Sequence, residues 1–107
     1  MKQNTYTQIS QEEAWQMMQE NEKAIVLDVR EEYEYKAGHI PGAVLLPVGS
    51  IDEASAAAVI GGKDETVLVY CRSGNRSRTA SKALAELGYT KVYEFGGINM
   101  WPYGTEQ

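Results

Sequence analysis

Apolar, β-branched runs alternate with helix-like segments along most of this chain, and that alternation constrains its fold more than any other feature. Thr66–Tyr70 is the clearest strand, with Thr66, Val67 and Val69 among its residues. Ile25–Val29 reads as a buried strand interrupted by one carboxylate, Asp28. Tyr6–Ile9, Ala43–Leu46 and Val92–Phe95 read as shorter strands. Ser10 and Glu13 have capping-box spacing and open a helix to about Glu20, with Ala14, Met17 and Met18 on one face. Glu31–Lys36 reads as a short helix stopped by Gly38. Ser50 and Glu53 repeat the capping-box spacing, so a helix is expected from there to Gly61-Gly62. Asn75 to Leu87 reads as a helix with Ala80, Ala83, Leu84 and Leu87 on one face, and Gly88 stands where a left-handed cap would end it. Gly96-Gly97 is expected to break the last strand into a short turn ending at Trp101. Strands separated by helices favour a parallel sheet covered on both faces. Ligands of such sheets bind beyond the carboxyl ends of the strands. The fold class expected is therefore α/β. The 107 residues (1–107) suffice for one domain and not two.

Charge and cysteine usage narrow the function. A net charge of -5 argues against general nucleic-acid binding. No stretch approaches the roughly 20 apolar residues of a membrane span. Met1–Glu13 is polar and lacks the apolar region of a secretory signal, so a cytoplasmic location is expected. One cysteine leaves no internal disulfide and no Cys-rich metal site, and with one histidine no zinc centre is expected. Chemistry at Cys71 must be resolved by an outside molecule.

Within this acidic chain, Arg72, Arg76 and Arg78 fall close together with no acid among them, immediately after Cys71. In a short strand-to-helix loop, successive amides can point inward and cup an anion. The following helix presents its positive end to the same space. With Arg72 and Arg76 these groups would hold Cys71 as a thiolate below its free value of about 8.5, reachable from water. Gly74 permits the tight turn. Apolar burial alone would do the reverse and leave the thiol inert.

Leu27-Asp28-Val29-Arg30-Glu31 with Glu34, Gly38-His39-Ile40-Pro41-Gly42-Ala43, Tyr70 to Ser77, and Gly88-Tyr89 through Gly96-Gly97-Ile98 and Trp101 together resemble, in order, the signatures of the rhodanese family over residues 24–101. The resemblance implies a rhodanese-like three-layer sandwich with a five-stranded, mainly parallel sheet flanked by helices. It implies that Cys71 is the nucleophile and persulfide carrier. Arg72, Ser73, Gly74, Asn75, Arg76 and Ser77 would bind the substrate or the persulfide, with amides of residues 72–76 facing the outer sulfur and both arginines positioning an anionic, thiosulfate-like donor. Cyanide or a thiol would accept the sulfur, and no metal or organic cofactor is implied. The loop from Cys71 to Arg76 spans six residues, as in the sulfurtransferases. The related cell-cycle phosphatases and some arsenate reductases have one more, which widens the cup for a tetrahedral oxyanion.

Sulfur relay between proteins uses the same loop and is the alternative reading. A phosphatase or reductase is disfavoured by loop length and the missing resolving cysteine. A regulatory module without catalysis is disfavoured by the retained Cys71. His39 lies in a turn that the family uses structurally. Asp28 is expected to be a paired structural carboxylate, with Arg30 or a loop group as partner. Ser73 and Ser77 are placed either to bond the persulfide or to cap the next helix. Trp101 and Tyr103 are expected to cover the core or rim the site.

Overall fold

The computed structural model describes residues 5–107, so the first four residues of the polar stretch Met1–Glu13 lie outside it. Five strands form one sheet: β1 (Thr7–Gln8), β2 (Ile25–Asp28), β3 (Val44–Leu45), β4 (Thr66–Cys71) and β5 (Lys91–Gly97). Four helices alternate with them: α1 (Gln11–Glu20), α2 (Glu32–Ala37), α3 (Glu53–Ile60) and α4 (Asn75–Glu86). Every neighbouring pair is parallel and the strand order is β1-β5-β4-β2-β3. β4 lies at the centre, and its carboxyl end delivers Cys71 to the edge where α/β sheets bind ligands.

Side-chain alternation along β4 divides the interior. Val67, Val69 and Cys71 pack with Ala56 and Ile60 of α3 and Ala80 and Leu84 of α4. Leu68 and Tyr70 face the other way, against Ala14 of α1, Ile40 and Phe95, with Met17, Met18, Tyr35 and Trp101 at the margin. Trp101 thus covers the core, as one of its two expected roles required. Tyr103 stacks on Trp15 and meets Trp101 edge-on.

Local signals explain most element ends. Ser10 and Glu13 form the expected capping box at α1. At α2 the Glu31 amide donates to Glu34 Oε1 at 2.9 Å, and the Glu34 amide donates to the Glu31 carbonyl at 3.0 Å. Gly88 has φ 105° and its amide donates to Ala85, while the Tyr89 amide donates to Leu84. These two bonds satisfy the last carbonyls of α4.

Three expectations need correction. Ser50 does not cap α3, because Val48–Ser50 closes a 3-10 turn of its own. Asp52 caps instead, accepting from the Ser55 amide at 2.8 Å while Ser55 Oγ accepts from the Asp52 amide at 2.9 Å. Gly96-Gly97 does not break β5, which runs on so that Gly97 pairs with Cys71 after a register shift past Val69. Neither Ser73 nor Ser77 caps α4; the N-cap is Gly74, with φ 111°, a conformation that favours glycine.

Asp28 is fully buried and fully engaged. Its carboxylate takes Arg30 Nη2 at 2.7 Å and Nε at 2.9 Å, and accepts from the Tyr70 hydroxyl at 2.6 Å. Arg30 continues to the Gly38 carbonyl at 2.7 Å, and Tyr70 Oη accepts from the Ile40 amide at 3.1 Å. The network therefore ties β2 to the 38–40 turn and touches none of residues 72–76, so Asp28 orients no part of the cysteine loop directly. His39 Nδ1 lies 2.9 Å from the Tyr35 carbonyl, which can only accept, so this nitrogen carries the hydrogen. The ring also stacks on Tyr35, consistent with a structural role. Asp28→Ala would strand a buried guanidinium and a buried phenol. We expect a loss of about 3–5 kcal/mol in urea unfolding; an unchanged midpoint would show the network to be dispensable.

Candidate active site

Cys71 is the last residue of β4, and its sulfur sits at the floor of the loop that leads into α4. The Gly74 amide donates to Sγ at 3.0 Å. Burial pushes the thiol up, but its hydrogen bond with the Ser77 side chain and those from the Ser77, Gly74 and Ser73 amides outweigh it, and the net displacement is downward. These neighbours oppose the effect that burial alone has on a thiol.

The loop can approach this closely because β5 leaves room for it. A Cβ on Gly97 would overlap the Arg72 carbonyl. That carbonyl accepts from the Asn99 amide at 3.2 Å, which pins the loop to the end of β5. Gln11 supports the same strand end, its Nε2 donating to the Gly97 carbonyl at 2.7 Å and the Phe95 carbonyl at 3.2 Å. Gln11 and Asn99 are positioning residues that no motif flagged, whereas Gly97 stood in the C-terminal signature without its packing role being visible.

Two expectations about the loop change. Cys71 is only 1% exposed rather than open to water, because the amides that cup its sulfur also cover it. Arg76 does not offer a free charge. Its Nη1 and Nη2 donate to Glu34 Oε1 and Oε2 at 2.7 and 2.9 Å, a two-pronged pair between α4 and α2. Arg72 is exposed and makes no ion pair among the described residues. It lines a cleft of about 400 Å³ together with Arg30, Tyr33, Glu34, Ile98 and Asn99. Ser73 contributes its amide. The Asn75 side chain accepts from Arg78 Nη2 at 2.6 Å. Among the described residues no group of three or more His, Cys, Asp or Glu could hold a metal ion, and no helix is long and apolar enough to cross a membrane.

Ser77 stands between two acidic groups. The Cys71 thiol donates to Ser77 Oγ at 3.4 Å, and Ser77 Oγ donates to Glu94 Oε2 at 2.6 Å. Glu94 lies on β5, is 3% exposed, and also accepts from the Gly96 amide at 2.9 Å and Gln8 Nε2 at 3.2 Å. Sequence reasoning passed over Glu94. Its signal was a lone acid inside the apolar run Val92–Phe95, the same sign that singled out Asp28.

The hydrogen bond from Arg76 brings the Glu34 carboxyl down to about 2 from an ordinary 4.5, against the opposing effect of burial. A carboxyl lowered on folding contributes stability that is complete above its unfolded value and is lost as pH falls through its folded value. Glu34→Gln should therefore flatten the loss of thermal stability between pH 4.5 and 2. Parallel melting curves for the two proteins across that window would contradict the clamp.

A family model described as Rhodanese-like domain matches residues 10–102. Thiosulfate sulfurtransferase GlpE of Coxiella burnetii is 35% identical over 97 residues, spanning 90% of this chain and 87% of that protein. Thiosulfate sulfurtransferase PspE of Escherichia coli is 40% identical over 72 residues, 67% of this chain and 68% of the relative. A solved structure described as a rhodanese with anions from E. coli superposes with a TM-score of 0.73 at 31% identity, covering 78% of this chain and 98% of its own.

Proposed function

The chain belongs to the rhodanese-like domain family, and from that premise we propose that it is a sulfurtransferase that carries sulfane sulfur as a persulfide on Cys71. The reading is carried by one observation: a Cys71 sulfur that receives the Gly74 amide at 3.0 Å, with a thiol displaced toward the thiolate despite burial. It has the support of relatives whose own activity is thiosulfate sulfurtransfer.

The chemistry is a double displacement. The Cys71 thiolate attacks the outer sulfur of thiosulfate. The S–S bond of the donor breaks and sulfite leaves with the bonding pair. The sulfur left on Cys71 bears the negative charge, in a loop whose Ser73, Gly74 and Ser77 amides already favour negative charge on Sγ. Cyanide then attacks that outer sulfur, leaves as thiocyanate and returns the thiolate; a thiol acceptor would leave as a persulfide. Arg72, the unpaired cation on the cleft wall, gathers the anionic donor. Arg76, neutralised by Glu34, holds the start of α4 in place instead. Because Cys71 is 1% exposed, the donor reaches Sγ only when the exposed loop residues Arg72 and Ser73 yield. Local opening of such loops costs little compared with global unfolding. The displacement as written requires no cofactor. A reducing compartment such as the cytoplasm would supply thiol acceptors.

A second reading, relay of sulfur between proteins, is favoured by the surroundings of the cleft. Tyr33 on its wall is 75% exposed and Met100, next in the chain to Asn99, is 74% exposed. Aromatic and methionine side chains of this kind are enriched at protein interfaces.

A donor and acceptor panel tests both readings. With thiosulfate and cyanide, purified protein should form thiocyanate and Cys71→Ser should form none; equal rates would overturn the assignment of Cys71. Small-molecule turnover far slower than transfer from a persulfidated protein would favour the relay. Hydrolysis of an aryl phosphate should be undetectable.

A further inference from the structure

Glu94 is a buried acid that the displacement chemistry leaves without a role. It lies on the face of β5 that packs against α4, in register with Gln8 of β1 and Val69 of β4. Its two oxygens receive Ser77 Oγ at 2.6 Å, the Gly96 amide at 2.9 Å and Gln8 Nε2 at 3.2 Å. All three donors are neutral, and no cation pairs with Glu94 among the described residues. The nearby charges on α4 are engaged elsewhere, Arg76 with Glu34 and Arg78 with Asn75. From α1, Gln11 spends its amide on the Phe95 and Gly97 carbonyls. From β4, the one titratable group that reaches Glu94 is Cys71, and it does so through Ser77.

Ser77 has one hydroxyl hydrogen and two acidic neighbours. With Glu94 ionised, that hydrogen points to Oε2, and the serine oxygen turns its lone pairs to the sulfur, where they can accept S–H but would repel a thiolate. The thiolate favours the opposite arrangement, with the Ser77 hydrogen directed at Sγ and turned from both Oε2 and the Gly74 carbonyl, which lies 3.0 Å away. That arrangement leaves Oε2 facing the serine oxygen, and two oxygens at 2.6 Å need a proton between them. Loss of the thiol proton and protonation of Glu94 are therefore linked by geometry.

We propose that Glu94 takes up the Cys71 proton through Ser77, making Cys71–Ser77–Glu94 a proton relay that switches the buried thiol to thiolate without releasing the proton to water. The S–H bond breaks as the hydrogen passes to Ser77 Oγ, and Ser77 passes its own hydrogen to Glu94 Oε2. The buried unit holds one negative charge before and after, so forming the nucleophile brings no second charge into the low-dielectric interior. Glu94 acts on the sulfur only through Ser77 and is a positioning residue with a proton-accepting role. The proposal rests on Cys71 being the nucleophile, but its test reads thiol ionisation and not sulfur transfer. A protein that relays its proton yet transfers no sulfur would refute only the functional reading.

Two ionisations sharing a proton titrate as a pair. The rate of Cys71 alkylation by iodoacetamide should rise with pH in two steps separated by a plateau, since the internal transfer is independent of pH while the pair holds one proton. Glu94→Gln and Ser77→Ala should each show a single step, and circular dichroism would report whether each variant is folded. On the plateau, infrared spectra of the wild-type protein should contain the carbonyl band of a buried protonated carboxyl, which thiol alkylation alters. That measurement needs no variant. A single-step profile in the wild type, or a wild-type plateau without a protonated-carboxyl band, would overturn the relay.

Discussion

Everything at the end of β4 depends on how closely the backbone of residues 73–77 approaches one sulfur atom. Burial alone would keep the Cys71 thiol protonated; the directed amides, with the hydrogen-bond contact to Ser77, reverse the sign. Amide dipoles fixed in a folded loop need no reorganisation when negative charge appears, which makes them effective at stabilising it. The arrangement is possible because Gly74 adopts φ 111° and because Gly97 leaves space for the Arg72 carbonyl. Two glycines on different elements thus shape one anion cup.

The two faces of the sheet carry separate polar networks. On one, Asp28, Arg30 and Tyr70 bind β2 to the 38–40 turn and fix the scaffold. On the other, Cys71, Ser77 and Glu94 link β4, α4 and β5 around the sulfur. Tyr70 and Cys71 are adjacent in sequence, yet strand alternation sends them to opposite faces. The first network joins a cation to an anion. The second contains no cation, a composition better suited to moving a proton than to holding a structure rigid.

Much of this was legible in the sequence because it arises from local rules. Strand and helix alternation, the Ser10–Glu13 box and the Gly88 cap are set by neighbours a few residues apart. The cysteine loop was legible because its amides and its nucleophile are contiguous. What escaped depends on contacts between distant segments. The Glu34–Arg76 pair spans 42 positions, and Ser77–Glu94 spans 17. Counting arginines suggested two free charges, but a sequence does not reveal which is already paired. Ser50 and Glu53 had the right spacing for a cap, and a 3-10 turn displaced it to Asp52. Gly96-Gly97 looked like a breaker because glycine weakens strands in general; here Gly97 is required for close approach of another backbone.

The most direct test of the loop's effect on sulfur is to titrate the thiolate absorbance of Cys71 in the folded protein and again in denaturant. Half of the thiolate should have formed at a lower pH in the folded protein, over the two steps of the coupled pair, than in the denatured chain, whose midpoint should sit near the free value of about 8.5. A folded midpoint equal to or above the denatured one would contradict the account, since burial would then have outweighed the amides.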